Sequence, residues 1–101
     1  MTSYVYVAKI DGESPVKIGH TSNPAKRLAA LRTFSPFGAS FEAVYATETR
    51  EDAKALEKSA HEFLRDLRLV GREWFDIEPR SAAAVVRAMA AYDGIRIGVV
   101  A

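Results

Sequence analysis

At 101 residues, 49% of them hydrophobic, the chain carries enough apolar material for one core and too little length for two domains. A formal charge of +1 excludes a strong overall positive field, so any hold on nucleic acid must come from a local basic patch. The absence of cysteine excludes disulfides, thiolate metal sites and cysteine nucleophiles, leaving oxygen and imidazole to bind any metal.

Residues Ser3 to Ile10 are rich in tyrosine and valine, and Val16 to His20 are apolar at alternate positions. The turn-rich cluster Asp11-Gly12-Glu13-Ser14-Pro15 lies between them, so a β-hairpin is predicted. Val5 and Val7 share an apolar face with Val16 and Ile18 in only one parity of register. That register sets Tyr4, Tyr6 and Ala8 on the opposite face with Lys17 and Gly19.

Asn23 is suited to cap a helix whose first residue is Pro24 and which runs to about Arg32. A loop through Ser35-Pro36-Phe37-Gly38 then leads to a third strand over Phe41 to Thr47. A long helix follows, capped by Thr49, with Glu51 and Asp52 in its first turn and an apolar stripe of Ala53, Leu56, Ala60, Phe63, Leu64 and Leu67. Gly71 is placed to end this excursion. Trp74 to Ile77 is a short strand or extended segment, and Pro79 opens an alanine-rich helix over Arg80 to Tyr92, closed by Asp93-Gly94. The apolar tail from Ile95 to Ala101 is either a last strand or frayed. No signal-peptide pattern is present and no window approaches the roughly 20 apolar residues that span a bilayer, so a cytoplasmic protein with no membrane partner is expected.

Glu57 is the residue hardest to explain by folding alone. It stands beside the apolar stripe, where a carboxylate must be paired, bind a cation or reach solvent past the core edge. The plainest account is a solvated edge residue. His61 follows one turn later, so the two share a face and could act together on a metal or a phosphate; a boundary histidine is the commoner case. Lys17 interrupts a short apolar strand, which an exposed strand face also explains. Arg27 lies at the edge of the Pro24, Leu28 and Leu31 stripe, while Lys26 and Arg32 fit ordinary solvating charges. Tyr4, Tyr6, Trp74 and Phe75 each read most simply as core aromatics.

What sets these residues apart is their order: Tyr6, then Lys17-Ile18-Gly19-His20-Thr21, then Arg27-Leu28, then Glu57. This series resembles the GIY-YIG nuclease superfamily, in which a tyrosine on strand one, a Tyr-Ile-Gly on strand two, an arginine on the first helix and a glutamate on the second recur. It is closest to a compact, phage- and bacterium-associated branch with Lys-Ile-Gly, a Leu-Glu-x-x-x-His segment (Leu56 to His61) and Glu-Trp-Phe (Glu73 to Phe75). The resemblance covers Ser3 to Ile77, leaving residues 78–101 as a C-terminal helix and tail. Tyr4 stands in place of the first motif's glycine, Lys17 in place of the second motif's tyrosine, and no clear counterpart follows for the family's later asparagine.

The resemblance implies an α/β (α+β) fold over residues 1–101 as one domain, with a small three-stranded, mainly antiparallel sheet flanked by about three helices. It implies hydrolysis of phosphodiester bonds in nucleic acid, DNA rather than RNA, with Mg²⁺ or Mn²⁺. Glu57 would be the metal ligand, with His61 a further one that shifts preference towards Mn²⁺. Tyr6 would act as base or position the attacking water, its pKa lowered by Lys17; Arg27 would stabilise charge on the phosphate, and His20 would relay a proton. Lys17, Lys26, Arg27 and Arg32 would contact the nucleic-acid backbone, with Lys9 on the same basic rim. Trp74 and Phe75 are expected to pack the second helix rather than stack bases. A homodimer or a targeting partner would supply affinity that so small a domain lacks. Two rival readings stand beside this one: a module of the same fold that binds nucleic acid or a protein without turnover, and a structural domain in which Glu57 and Arg27 form an ion pair.

Overall fold

A computed structural model describes residues 2–11, 15–35, 37–69 and 73–101. The centre of the hairpin turn at residues 12–14, Pro36 and the Gly71 stop lie outside that set. β1 (Ser3–Ile10) and β2 (Val16–Thr21) form the hairpin, and their pairing of Val7 with Ile18 and Tyr6 with Gly19 is the parity that burial of the valines requires. β3 (Ala39–Thr47) adds to the other side of β1, with a register shift between Val7 and Ala8 that admits one extra residue on β3.

The sheet differs from the expectation of three strands. It has five, in the order β4-β2-β1-β3-β5, with every neighbouring pair antiparallel. The additions are β4 (Trp74–Phe75), outside β2, and β5 (Ile97–Val99), outside β3. At two and three residues, neither is long enough to show an alternating pattern, and each is held by the strand it joins. β4 is also gripped from its far side, where Leu69 N–H donates to the Trp74 carbonyl and Asp76 N–H to that of Leu67, both at 2.8 Å.

Three helices cover the two faces unequally. α2 (Arg50–Phe63) and α3 (Pro79–Asp93) pack on the face made by Val5, Val7, Val16, Ile18 and Tyr45, through Ala53, Leu56, Ala60, Val86 and Ala90. The opposite face, with Tyr6, Ala8 and Val44, is covered by α1 (Pro24–Phe34) chiefly through Leu31 and Leu28. Asn23 caps α1 by accepting from Lys26 N–H, and Thr49 caps α2 by accepting from Asp52 N–H, each at 3.1 Å. Gly94 ends α3 in the left-handed conformation, φ 69°, which glycine adopts without steric cost.

The apolar stripe of α2 is shorter than its sequence suggests. The helix ends at Phe63, Leu64 is buried, and a 3₁₀ turn over Arg65–Leu67 takes Leu67 out of phase. Phe63 and Leu67 are accordingly 63% and 41% exposed. No described helix is long and apolar enough to cross a membrane.

Candidate functional site

The shortness of β4 creates the site. It pairs with Val16 and Lys17 alone, and Ile18 N–H donates to the Glu73 carbonyl at 3.1 Å, so Gly19, His20 and Thr21 stay paired with β1 but run on past β4. Along this stretch, alternation sends Gly19 to the α1 side with Tyr6 and His20 to the α2 side with Val5. Groups from both faces of the sheet thereby converge around one strand end.

On the α2 side, His20 Nδ1–H donates to Glu57 Oε2 at 2.8 Å, with both side chains half-buried. A carboxylate only accepts, so this bond places a proton on Nδ1, and in the neutral ring the lone pair is then on Nε2. Of the outcomes open to a carboxylate beside the apolar stripe, Glu57 is paired, and its partner is His20 rather than Arg27. His61, one turn on, donates from Nε2 to the Ile18 carbonyl at 2.7 Å and leans its ring on Phe75, 5.0 Å between centroids. It ties α2 to β2. Glu57, His61, Arg68 and Glu73 line a concavity of about 470 Å³.

On the α1 side, the Tyr6 side chain is fully buried and its hydroxyl has no hydrogen-bond partner among the described residues. Burial pushes its pKa up to about 12; the Arg27 guanidinium opposes this by charge, while the carboxylates of Glu73 and Glu57 add to it. Arg27 acts on it chiefly by charge and more weakly as a hydrogen-bond donor, although the geometry of a full hydrogen bond is not reached. Tyr6 is a neutral phenol at ordinary pH and the cation acting on it is Arg27. Lys17, which the hairpin register puts on the same face, instead extends over the Trp74 ring, 5.9 Å from its centroid.

Gly19 is the floor beneath these groups. A Cβ there would lie 2.5 Å from Tyr6 Oη, 2.7 Å from Tyr6 Cζ and 2.9 Å from Glu73 Oε1. The glycine is required by close approach rather than by backbone conformation, and the two oxygens flank one point above it. Gly19→Ala must displace the tyrosine ring or the carboxylate, and is expected to cost about 1–3 kcal/mol of stability. Thermal denaturation reads this directly, and an unchanged melting temperature would show that the tyrosine is not held as described.

A second concavity, of about 370 Å³, opens beside His20, with Thr21, Ser22, Arg27 and Arg50 among its lining. Lys26 is exposed and borders a neighbouring hollow that shares Thr21, Ser22 and Arg27. Arg32 lies apart, its Nε–H donating to the Ala39 carbonyl at 3.1 Å and joining α1 to β3. Lys9 is paired with Glu42 at 3.4 Å. Phe75 is fully buried in the core and Trp74 half-buried at its edge.

Two residues of the site escape sequence reasoning. Glu73 is visible there only as part of an aromatic motif, and its relation to Tyr6 depends on the turn that precedes β4. Arg50 carried a signal: it occupies the first position of α2, where the helix dipole favours acids, so a cation there goes against local preference.

No curated protein and no solved structure matches the chain. The family model of the T5orf172 domain matches residues 3–90, which takes in most of α3, beyond the reach of the motif series. That family is distinct from the GIY-YIG superfamily, so the resemblance drawn from short motifs is corrected. No motif in the series is longer than six residues, and Tyr4 and Lys17 already depart from the pattern. Domains of the matched family occur in nuclease-like and DNA-binding proteins, with which an association with nucleic acid is in keeping. By a match over most of its length, the chain belongs to the T5orf172 domain family.

Proposed function

We propose that the domain is a metal-dependent phosphodiesterase acting on nucleic acid, DNA in the first instance. The observation that carries this reading is the meeting, around the free end of β2, of an imidazole oriented by a carboxylate, a second carboxylate, a guanidinium and an orphaned buried hydroxyl. Each is a group that phosphoryl transfer uses, and their convergence from four separate elements is not demanded by packing.

Among the described residues no three or more His, Asp or Glu side chains group to hold an ion. The donors at hand are the Glu57 oxygen not engaged by His20 and the Glu73 carboxylate lining the same concavity. One or two carboxylates suit Mg²⁺, which keeps several of its waters; Mn²⁺ fits the same donors. His61 is less suited, because its Nε2 is committed to Ile18. When bound, a divalent ion supplies electrophilic stabilisation of charge developing on phosphate oxygens.

The chain's own residues divide the remaining work. His20, its Nδ1–H fixed by Glu57, accepts the proton of the attacking water at Nε2. Arg27 neutralises charge on the phosphate. The Tyr6 hydroxyl, sealed from solvent in this arrangement, would donate a hydrogen bond to a phosphate oxygen or to the water once α1 moves aside. It does not act as base, since a phenol at about 12 stays protonated near neutrality. Lys17 is left to a flanking backbone contact.

A second reading, binding without turnover, is favoured by the engagement of Glu57 with His20, which occupies one of the two carboxylate oxygens. Incubation with supercoiled plasmid, single-stranded DNA and RNA, in Mg²⁺, in Mn²⁺ and in EDTA, separates the two. Cleavage that requires the metal is the expected result. A folded chain that binds these substrates and cleaves none of them in either metal would establish the second reading instead.

A further inference from the structure

We propose that the groove floored by Thr21 and Ser22 holds two successive backbone phosphates of one nucleic-acid strand, with Arg50 gripping the phosphate next to the one that reacts. The inference rests on the reading of the domain as acting on nucleic acid and adds to it a strand path and a residue that fixes that path.

The hollow beside His20 and its neighbour share Thr21, Ser22 and Arg27 in their linings; the first also has Arg50 and the second Lys26. Their cations are not satisfied internally. Lys9, His20 and Arg65 each have a carboxylate partner, whereas Lys26, Arg27 and Arg50 form no ion pair among the described residues. Glu48, Glu51 and Asp52 flank Arg50 in sequence, yet none of them lines the groove. A concave strip with three cations that form no ion pair among the described residues, and with no carboxylate in its described lining, attracts a polyanion.

The floor matches this use. Thr21 Oγ1 accepts from Asn23 N–H at 3.1 Å, which stiffens the turn into α1, while Ser22 is exposed and leaves a hydroxyl for a phosphate oxygen. Arg27 stands at the junction, shared between the groove and the Tyr6 hydroxyl. A phosphate at Arg27 is therefore the reacting one, and its neighbour along the strand reaches Arg50. Arg50 comes from α2, seven residues before Glu57, so the helix that carries the carboxylate also carries the second anchor.

Fluorescence polarisation with a short labelled DNA or RNA strand, in EDTA so that nothing is cleaved, tests the proposal. Arg50→Ala is expected to weaken binding about ten-fold and to lower the slope of log affinity against log salt by about 0.7, the value for one phosphate contact on a single strand. Arg50→Lys keeps the charge and should keep the slope. Wild-type affinity and slope in Arg50→Ala would overturn the groove, and cleavage by the wild type would then leave the phosphodiesterase reading intact. Arg50-dependent binding by a chain that never cleaves would do the reverse. Preference of DNA over RNA, or the converse, names the strand. Arg50-dependent uptake of inorganic phosphate with no binding of either strand would overturn the proposal in favour of a free anion.

Discussion

Glu57→Gln is expected to lower metal-dependent cleavage by about 100-fold or more while leaving the domain folded. Glutamine preserves the size of the side chain and an oxygen that can accept from His20 Nδ1–H, so the link between β2 and α2 survives. It removes the negative charge that would hold a divalent ion and that would stabilise a protonated imidazole. Both proposed roles of Glu57 are lost together, which is why the effect exceeds that of any single contact. Glu57→Ala adds loss of the hydrogen bond and should fall further, with a lower melting temperature. Single-turnover rates across a range of Mg²⁺ and Mn²⁺ concentrations read the change, with circular dichroism as the check on folding. Cleavage by folded Glu57→Gln within a few-fold of wild type would remove Glu57 from the mechanism.

Tyr6→Phe should move activity and stability in opposite directions. The hydroxyl is buried, lacks a hydrogen-bond partner among the described residues and faces two carboxylates that disfavour its ionisation. A buried polar group left without a partner costs about 1–3 kcal/mol, and phenylalanine of the same shape removes that cost. A gain of about 1 kcal/mol in unfolding free energy is expected, with cleavage slowed about 10- to 100-fold. Alkaline titration supplies an independent readout. With the folded pKa raised to about 12 against 10.0 for a free tyrosine, the unfolded chain gives up this proton first as pH rises. The wild type should therefore lose stability from about pH 10 to pH 12. The phenylalanine variant should lack that component of the loss, which denaturant titrations at several pH values would reveal. Destabilisation of the variant at neutral pH would mean the hydroxyl has a partner in solution and is not the orphan that the site requires.

The parts of the fold that were legible from sequence are those with a local physical signature. The parity of β1 against β2 followed from four apolar side chains, and the starts of α1 and α2 from Asn23-Pro24 and Thr49. Trp74 to Ile77 and the tail after Ile95 read as possible strands, and each holds one, but their membership of the sheet is not legible, because a strand of two or three residues has no period and is defined by its neighbour. The same limit governed the site. The order of residues along the chain singles out Tyr6, His20, Arg27 and Glu57 and says nothing of how they pair. His20 and Glu57 are 37 residues apart and meet only once α2 has docked, and the near approach of Tyr6 to Glu73 depends on where β4 stops. The proposed lowering of the Tyr6 pKa by Lys17 failed for a similar reason: sharing a strand face does not fix where a long side chain points, and Trp74 draws the ammonium away.

The unequal covering of the sheet has a kinetic consequence. The face bearing Val5 and Val7 is sealed by two helices, whereas the face bearing Tyr6 is closed by α1, whose exposed positions outnumber its buried ones. Segments with few buried contacts open at lower free energy than the core they rest on, so the amides of α1 should exchange with solvent well before those of β1. Such an opening would loosen the cover over the Tyr6 ring while the imidazole and its carboxylate, on the better-sealed side, stay in place. Hydration of the proposed site would then follow the opening of one short helix, and that helix carries Arg27.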